Sequence, residues 1–187
     1  MRLFVALEIP AEVRQALAGA MARLQDTARG ARWVRAEGIH ITLKFIGEMA
    51  DERAGAIGDS LRDVRVDAPV DARIHGLGFF PNERHPRVLW AGVSASPNLV
   101  ELAEAVAARL EKLGIAGEGR EFKPHLTLAR FKNEDGLPRL REELGKLEPF
   151  EFGALSSNEF HLFRSELLPR GARYTRLETF SFARGNS

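Results

Sequence analysis

Cysteine is absent from all 187 residues, which excludes a disulfide framework, a thiolate nucleophile and any zinc site built on sulfur. Neither sign of charge dominates: 27 Lys and Arg stand against 26 Asp and Glu, with the five His counted neutral. Net charge therefore names no acidic or basic partner, and a nucleic-acid footprint would have to arise from local clustering. No apolar run approaches the roughly 20 residues of a membrane span. The segment from Met1 to Glu8 has one charge and then five apolar residues, too short for a signal-peptide core and without a cleavage site. The expectation is a cytoplasmic protein with no membrane partner. There is no G-x-S-x-G elbow, and Gly114-Ile115-Ala116-Gly117-Glu118-Gly119 lacks the Gly-Lys-Ser/Thr end of a phosphate-binding loop, so it reads as a plain loop.

One short motif occurs twice. It reads H-I-T-L-K-F from His40 to Phe45 and H-L-T-L-A-R from His125 to Arg130, a spacing of 85 positions between the histidines at 40 and 125. Each copy lies in a run with strand alternation, where residues two apart share a face. His40 and Thr42 then project together, as do His125 and Thr127. A single His-x-Thr on a strand is an ordinary surface, because Thr is β-branched and common there. Two copies are harder to explain as core, since each buried His and Thr would need its own partner. Two imidazoles and two hydroxyls meeting at one place suit proton transfer at an anionic centre such as phosphate: one imidazole takes a proton from the attacking group, the other gives one to the leaving oxygen. A metal site is the competing use of histidine, but zinc wants three or four ligands and neither copy has a third His nearby.

The remaining pattern gives two similar halves. Strands are expected at Leu3–Ile9, through the first motif to about Gly47, at Val70–Phe80, Arg87–Ala95, Phe122–Phe131, Glu159–Leu167 and Tyr174–Phe182. Helices are expected from Pro10 to about Ala28, Asp51–Val64, Ser96–Leu113 and Leu137–Leu147. The mixture is not strict βαβ alternation. It implies an α+β, bilobal fold, one domain over residues 1–187, with two antiparallel-rich sheets backed by helices and the motif strands facing across a groove. His75 and His161 lack a Thr partner and read as structural or surface groups; His85, in the polar loop from Pro81 to Pro86 between Arg84 and Arg87, reads as a solvated loop residue, with a weak RNA-phosphate contact as the alternative. Trp33, Phe79 and Trp90 read as core or as base-stacking platforms, and Arg164 and Arg170 as a small surface cluster.

At these residues the chain resembles the 2H phosphoesterases, and within them the bacterial and archaeal RNA 2′,3′-cyclic phosphodiesterases, also called 2′-5′ RNA ligases. The likeness runs through R-L-F-V-A-L from Arg2, W-V from Trp33, H-I-T-L-K-F-I-G-E from His40, R-V-L-W-A-G-V from Arg87, K-P-H-L-T-L-A-R from Lys123 and L-F-R-S-E-L from Leu162, with Tyr174. It implies a pseudo-twofold fold, no cofactor and no metal, and a monomer that opens 2′,3′-cyclic phosphates on RNA ends, oligonucleotides or tRNA halves, to 2′-phosphates. It also implies that some relatives join 2′-5′ linkages without ATP, at the same site run in reverse; a non-catalytic RNA-binding module is the remaining alternative. Carried over residue by residue, His40 and His125 are the acid–base pair, Thr42 and Thr127 donate to phosphate, and Arg130 contacts phosphate. Strand parity from His125 puts Ala129 rather than Arg130 on the His face, so Arg130 reaches the site only if the strand ends or bulges there, or if the side chain wraps around. Lys44, by the same parity, falls in phase with His40 and Thr42 as a second cation or a solvated edge lysine.

Overall fold

The computed structural model describes residues 1–183. Its elements are β1 (Arg2–Glu8), α1 (Ala11–Leu24), β2 (Ala31–Trp33), β3 (His40–Glu48), α2 (Arg53–Leu61), β4 (Val70–Phe80), β5 (Val88–Ala95), α3 (Asn98–Glu111), β6 (His125–Phe131), α4 (Leu137–Leu147), β7 (Glu151–Ser157), β8 (Glu159–Leu168) and β9 (Gly171–Ser181). They form two sheets, in the orders β3-β1-β8-β9 and β2-β6-β5-β4-β7. Every pairing between these strands is antiparallel.

The two halves repeat. β1-α1-β3-α2 and β5-α3-β6-α4 follow the same order along the chain, apart from the short β2. In space, β3-β1-β8-β9 matches β6-β5-β4-β7, so each motif strand pairs with the first strand of its own unit at one side of its sheet. β2 covers only the far end of β6, opposite residues 129–131. The helices cross over: α1 packs on β7 of the other sheet, and α3 on β3. This exchange is why one apolar core runs through both sheets, from Leu3, Val5 and Leu7 to Leu89, Ala91, Leu126 and Leu128. β1 is apolar on both faces because Phe4 and Ala6, on its other side, are covered by Phe163 and Tyr174.

Element boundaries differ from the sequence pattern where backbone chemistry intervenes. α1 stops at Leu24, not Ala28, and the following residues turn instead. β6 begins at His125, not Phe122, because Pro124 has no N–H for the ladder. β7 has no counterpart in the sequence pattern; its sequence, E-F-G-A-L-S-S, carries Gly and Ser in place of β-branched residues and forms only because it lies along β4. Gly136 opens α4 at φ 79°, and a Cβ there would fall 2.0 Å from the Thr27 carbonyl oxygen. Only glycine lets α4 approach the end of α1, where Leu24, Ala28, Leu137 and Leu140 pack.

Candidate active site

His40 opens β3 and His125 opens β6, and both motif strands lie at the sides where the sheets meet: residues of β3 and β6 approach within 8 Å, Cα to Cα. On β3, Ile41 and Leu43 are buried while His40 and Thr42 are half-exposed; Leu126 and Leu128 alternate with His125 and Thr127 in the same way. The apolar alternates anchor each strand to the core and hold each His-Thr pair outward.

Both strands then bulge at the same place. Between β1 and β3 the pairing steps from Ala6–Thr42 to Val5–Lys44, which leaves Leu43 as the extra residue. Between β5 and β6 it steps from Trp90–Thr127 to Leu89–Ala129, which leaves Leu128 extra. Leu43 and Leu128 occupy the same position of the motif. A bulge of this kind reverses the facing of everything after it. Ala129 therefore turns into the core beside Leu89, and Arg130, opposite Val88, joins the face of Thr127 and His125. Its guanidinium is exposed and makes no hydrogen bond or ion pair with the described residues.

The same bulge overturns the parity expectation for Lys44. Paired with Val5, it faces the core, not His40 and Thr42. Only 5% of it is exposed, and its Nζ donates to the Ala116 carbonyl at 2.8 Å, with Glu118 at 3.9 Å. Phe45, paired with Phe4, takes the groove-side place that Arg130 holds in the second copy, and is 56% exposed.

The two imidazoles have different surroundings. His40 is ringed by Phe4, Phe163 and Tyr174, all edge-on, with centroids 5.1, 4.9 and 5.0 Å away. Burial there pushes its pKa down to about 4; the backbone hydrogen bond at Gly38 opposes this, and the charge of Arg14 adds to it. His125 touches one ring, Phe80, edge-on at 5.2 Å. Its Nδ1 lies 2.8 Å from the Lys123 carbonyl oxygen. A carbonyl only accepts, so Nδ1 carries the hydrogen and Nε2 is the nitrogen left to exchange protons. Each histidine is thus tethered to the backbone two residues before it.

The profile of the 2′-5′ RNA ligase superfamily matches residues 9–166. The chain belongs to this superfamily. A protein of Thermus thermophilus named RNA 2′,3′-cyclic phosphodiesterase is 41% identical, covering 97% of this chain and 90% of the relative. One of the same name from Archaeoglobus fulgidus is 34% identical, covering 96% and 99%. Among solved structures, one from Thermus thermophilus superimposes with a TM-score of 0.81 at 38% identity, over 97% of this chain and 98% of the other. Escherichia coli LigT complexed with 3′-AMP superimposes with a TM-score of 0.79 at 26% identity, over 98% of each.

Within this superfamily fold, the other residues singled out in the sequence find structural roles. His161 is 5% exposed, with its Nδ1 2.9 Å from Thr179 Oγ1. His85 Nδ1 meets Glu134 at 2.7 Å in an exposed loop contact, and His75 Nε2 meets Ser94 Oγ at 2.6 Å. Trp90 lies over Gly78, where a Cβ would fall 2.2 Å from the indole, and packs against Phe80 in a tilted pair with centroids 5.2 Å apart. Trp33 and Phe79 pack against the core, and Arg164 bonds Glu166. Among the described residues no three His, Asp or Glu cluster as metal ligands would, and no helix is long and apolar enough to cross a membrane. One residue escaped the sequence reading: Arg32 on β2 lies directly opposite Arg130, on the groove face. Two like charges facing across a ladder are unfavourable without an anion between them. Its only sequence signal is its place in A-R-W-V, beside the recognised Trp33.

Proposed function

We infer that this protein opens terminal 2′,3′-cyclic phosphates on RNA to 2′-phosphates by in-line displacement, with His40 and His125 as the acid–base pair. The observation that carries the reading is the bulge shared by both motif strands. Each strand carries an outward His-x-Thr before the bulge, and after it the second carries an outward arginine with no protein partner among the described residues. Thr42 and Thr127 donate to the non-bridging oxygens, and Arg130 neutralises the charge that grows on them. Water attacks phosphorus, one imidazole takes its proton, and the other protonates the 3′ oxygen as the P–O3′ bond breaks. His40 is neutral at pH 7 because it is buried, which suits it to take the proton and leaves His125 to give one. No metal or cofactor has a step in this scheme. The relatives' names support the substrate class, and the superfamily's name keeps a second reading in view: a ribose hydroxyl in place of water would make the same site join a 2′-5′ linkage. The deciding experiment incubates a short RNA ending in 2′,3′-cyclic phosphate with the protein and a chelator. Conversion to a 2′-phosphate end supports the reading; an untouched substrate, or a 3′-phosphate product, rejects it.

A further inference from the structure

The short ladder between β2 and β6 fixes how Arg32 stands. The Lys132 N–H donates to the Gly30 carbonyl at 2.8 Å, and the Val34 N–H to the Leu128 carbonyl at 2.9 Å. Hydrogen-bonded rungs alternate in an antiparallel pair, so the rung midway between these two, Arg32–Arg130, is hydrogen-bonded as well, with its Cα atoms about 5.5 Å apart. Side chains of one rung share a face, so both guanidinia rise on the face of Thr127 and His125. The neighbour of Arg130 on the other strand, Val88, carries no charge. β5 flanks β6 on that side, whereas β2 and β3 lie on the other, which sets Arg32 on the groove side of Arg130. Both arginines are exposed, and neither makes a hydrogen bond or ion pair with the described residues. Other strand arginines, Arg73, Arg173 and Arg176, are each met by a carboxylate, of Glu151, Glu166 and Glu8. At this rung the partner is a second arginine, and two like charges so placed repel until an anion comes between them.

We propose that Arg32 is a further catalytic residue, which holds the non-bridging oxygens of the reacting phosphate together with Arg130. The proposal rests on the cyclic-phosphodiesterase reading and adds a residue to it. A phosphodiester has two non-bridging oxygens, and each guanidinium brings five N–H donors, so two guanidinia on one rung can serve both oxygens. Negative charge grows on those oxygens as water attacks, and the contact strengthens toward the transition state. The same anion relieves the repulsion that the free protein carries between the two arginines. The first motif builds no such pair. Phe45 holds the place of Arg130 on β3, and β3 is the edge of its sheet, with no strand in the place of β2. The phosphate is therefore gripped from the β6 side of the groove.

The test compares Arg32→Met, Arg32→Lys and Arg32→Glu with the unmodified protein. The substrates are a short RNA ending in 2′,3′-cyclic phosphate and the same RNA with a neutral methylphosphonate at the linkage next to that end. Arg32→Met should lower kcat/KM on the order of 10- to 100-fold, and by the same factor on both RNAs, because the phosphate it contacts is the one that reacts. Arg32→Lys should keep part of the rate. Melting in phosphate-free buffer separates this role from a structural one. Arg32→Met should leave Tm unchanged or raised, and Arg32→Glu, which gives Arg130 a carboxylate, should raise Tm while costing more rate than Arg32→Met. A rate within about threefold of normal in Arg32→Met overturns the proposal, and so does a loss matched by a fall in Tm. A loss confined to the RNA with the charged linkage, or an unmodified protein that opens only that RNA, also overturns it, because the cations would then serve the neighbouring phosphate. Failure of the unmodified protein to open either RNA would instead reject the function on which the proposal rests.

Discussion

Exchanging Arg130 and Lys44 for methionine, one at a time, tests the bulge that builds the site. Before the bulge is considered, Lys44 shares a face with His40 and Arg130 lies on the wrong side; after it, the positions are reversed. Arg130→Met deletes an exposed guanidinium that bonds none of the described residues, so folding stability should change by no more than about 0.5 kcal/mol. If the group contacts phosphate, kcat/KM should fall by the worth of a hydrogen bond to a charged group, about 1.5–3 kcal/mol, or roughly 10- to 150-fold. Lys44→Met should do the opposite. It removes the 2.8 Å bond to Ala116 and leaves that carbonyl without its donor, at a cost of about 1–3 kcal/mol, partly offset because a buried ammonium is replaced by an apolar group of similar length. For a chain of this size each kcal/mol lowers Tm by about 2–4 °C, while kcat/KM should stay within about threefold. The assay is steady-state opening of a cyclic-ended oligonucleotide beside thermal melting of the same samples. Equal losses of kcat/KM in both variants, with Tm unchanged in each, would refute the assigned faces and put Lys44 at the phosphate.

Other expectations follow from the same geometry. His40→Ala and His125→Ala should each remove nearly all turnover, and the double variant should be little worse than either, because the pair acts as a unit; near-normal turnover in one of them would end the two-imidazole scheme. Thr42→Val and Thr127→Val keep strand shape and should each cost about 1.5–3 kcal/mol in transition-state binding, read as kcat/KM with Tm unchanged. Activity should survive EDTA and the purified protein should carry no stoichiometric metal by elemental analysis; loss on chelation and recovery with one metal would reassign the histidines as ligands. Stability should also respond to pH with a definite sign. His40 stays neutral when folded down to about pH 4 but takes a proton near 6.5 when unfolded, so the unfolded chain binds more protons between those values. Stability should therefore rise with pH from about 4 to 6.5 and level off above, with His161, also lowered by burial, adding to the slope; urea titrations of His40→Asn should show a shallower rise.

The sequence made the repeat legible because a period-2 alternation with matched polar residues survives in one dimension. His40, Thr42, His125 and Thr127 are read from it directly, as is the α+β class. Facing beyond Leu43 and Leu128 was not readable. A bulge is a relation between two strands, and H-I-T-L-K-F carries no Gly or Pro to announce one. Parity therefore misplaced Lys44 and left Arg130 unresolved, and the two errors have a single cause. β7 was missed for a related reason: its Gly and Ser residues describe a loop, and only pairing with β4 makes them a strand. Arg32 was invisible because its significance is the like charge of Arg130 opposite it, and a pairing between two strands has no sequence pattern.

In the proposed scheme the two copies of the motif take different roles. Acid–base catalysis needs one imidazole neutral and one charged at the same moment. Here the frames match but the walls do not. Phe4, Phe163 and Tyr174 enclose His40, whereas His125 touches only Phe80 and keeps Nδ1 on the Lys123 carbonyl. The division makes a prediction about rate. With His40 as one of the two titrating groups, the acid limb of kcat/KM, which reports the free protein, should lie near the value of about 4 that burial imposes. Were His40 the acid, the active form would bind the same number of protons and the profile would keep its shape at a lower height. Replacing Phe163 by Asn would let water reach His40 and lift its pKa, so the acid limb should move to higher pH while the alkaline limb stays in place. An acid limb indifferent to Phe163→Asn would show that the group titrating there is not His40.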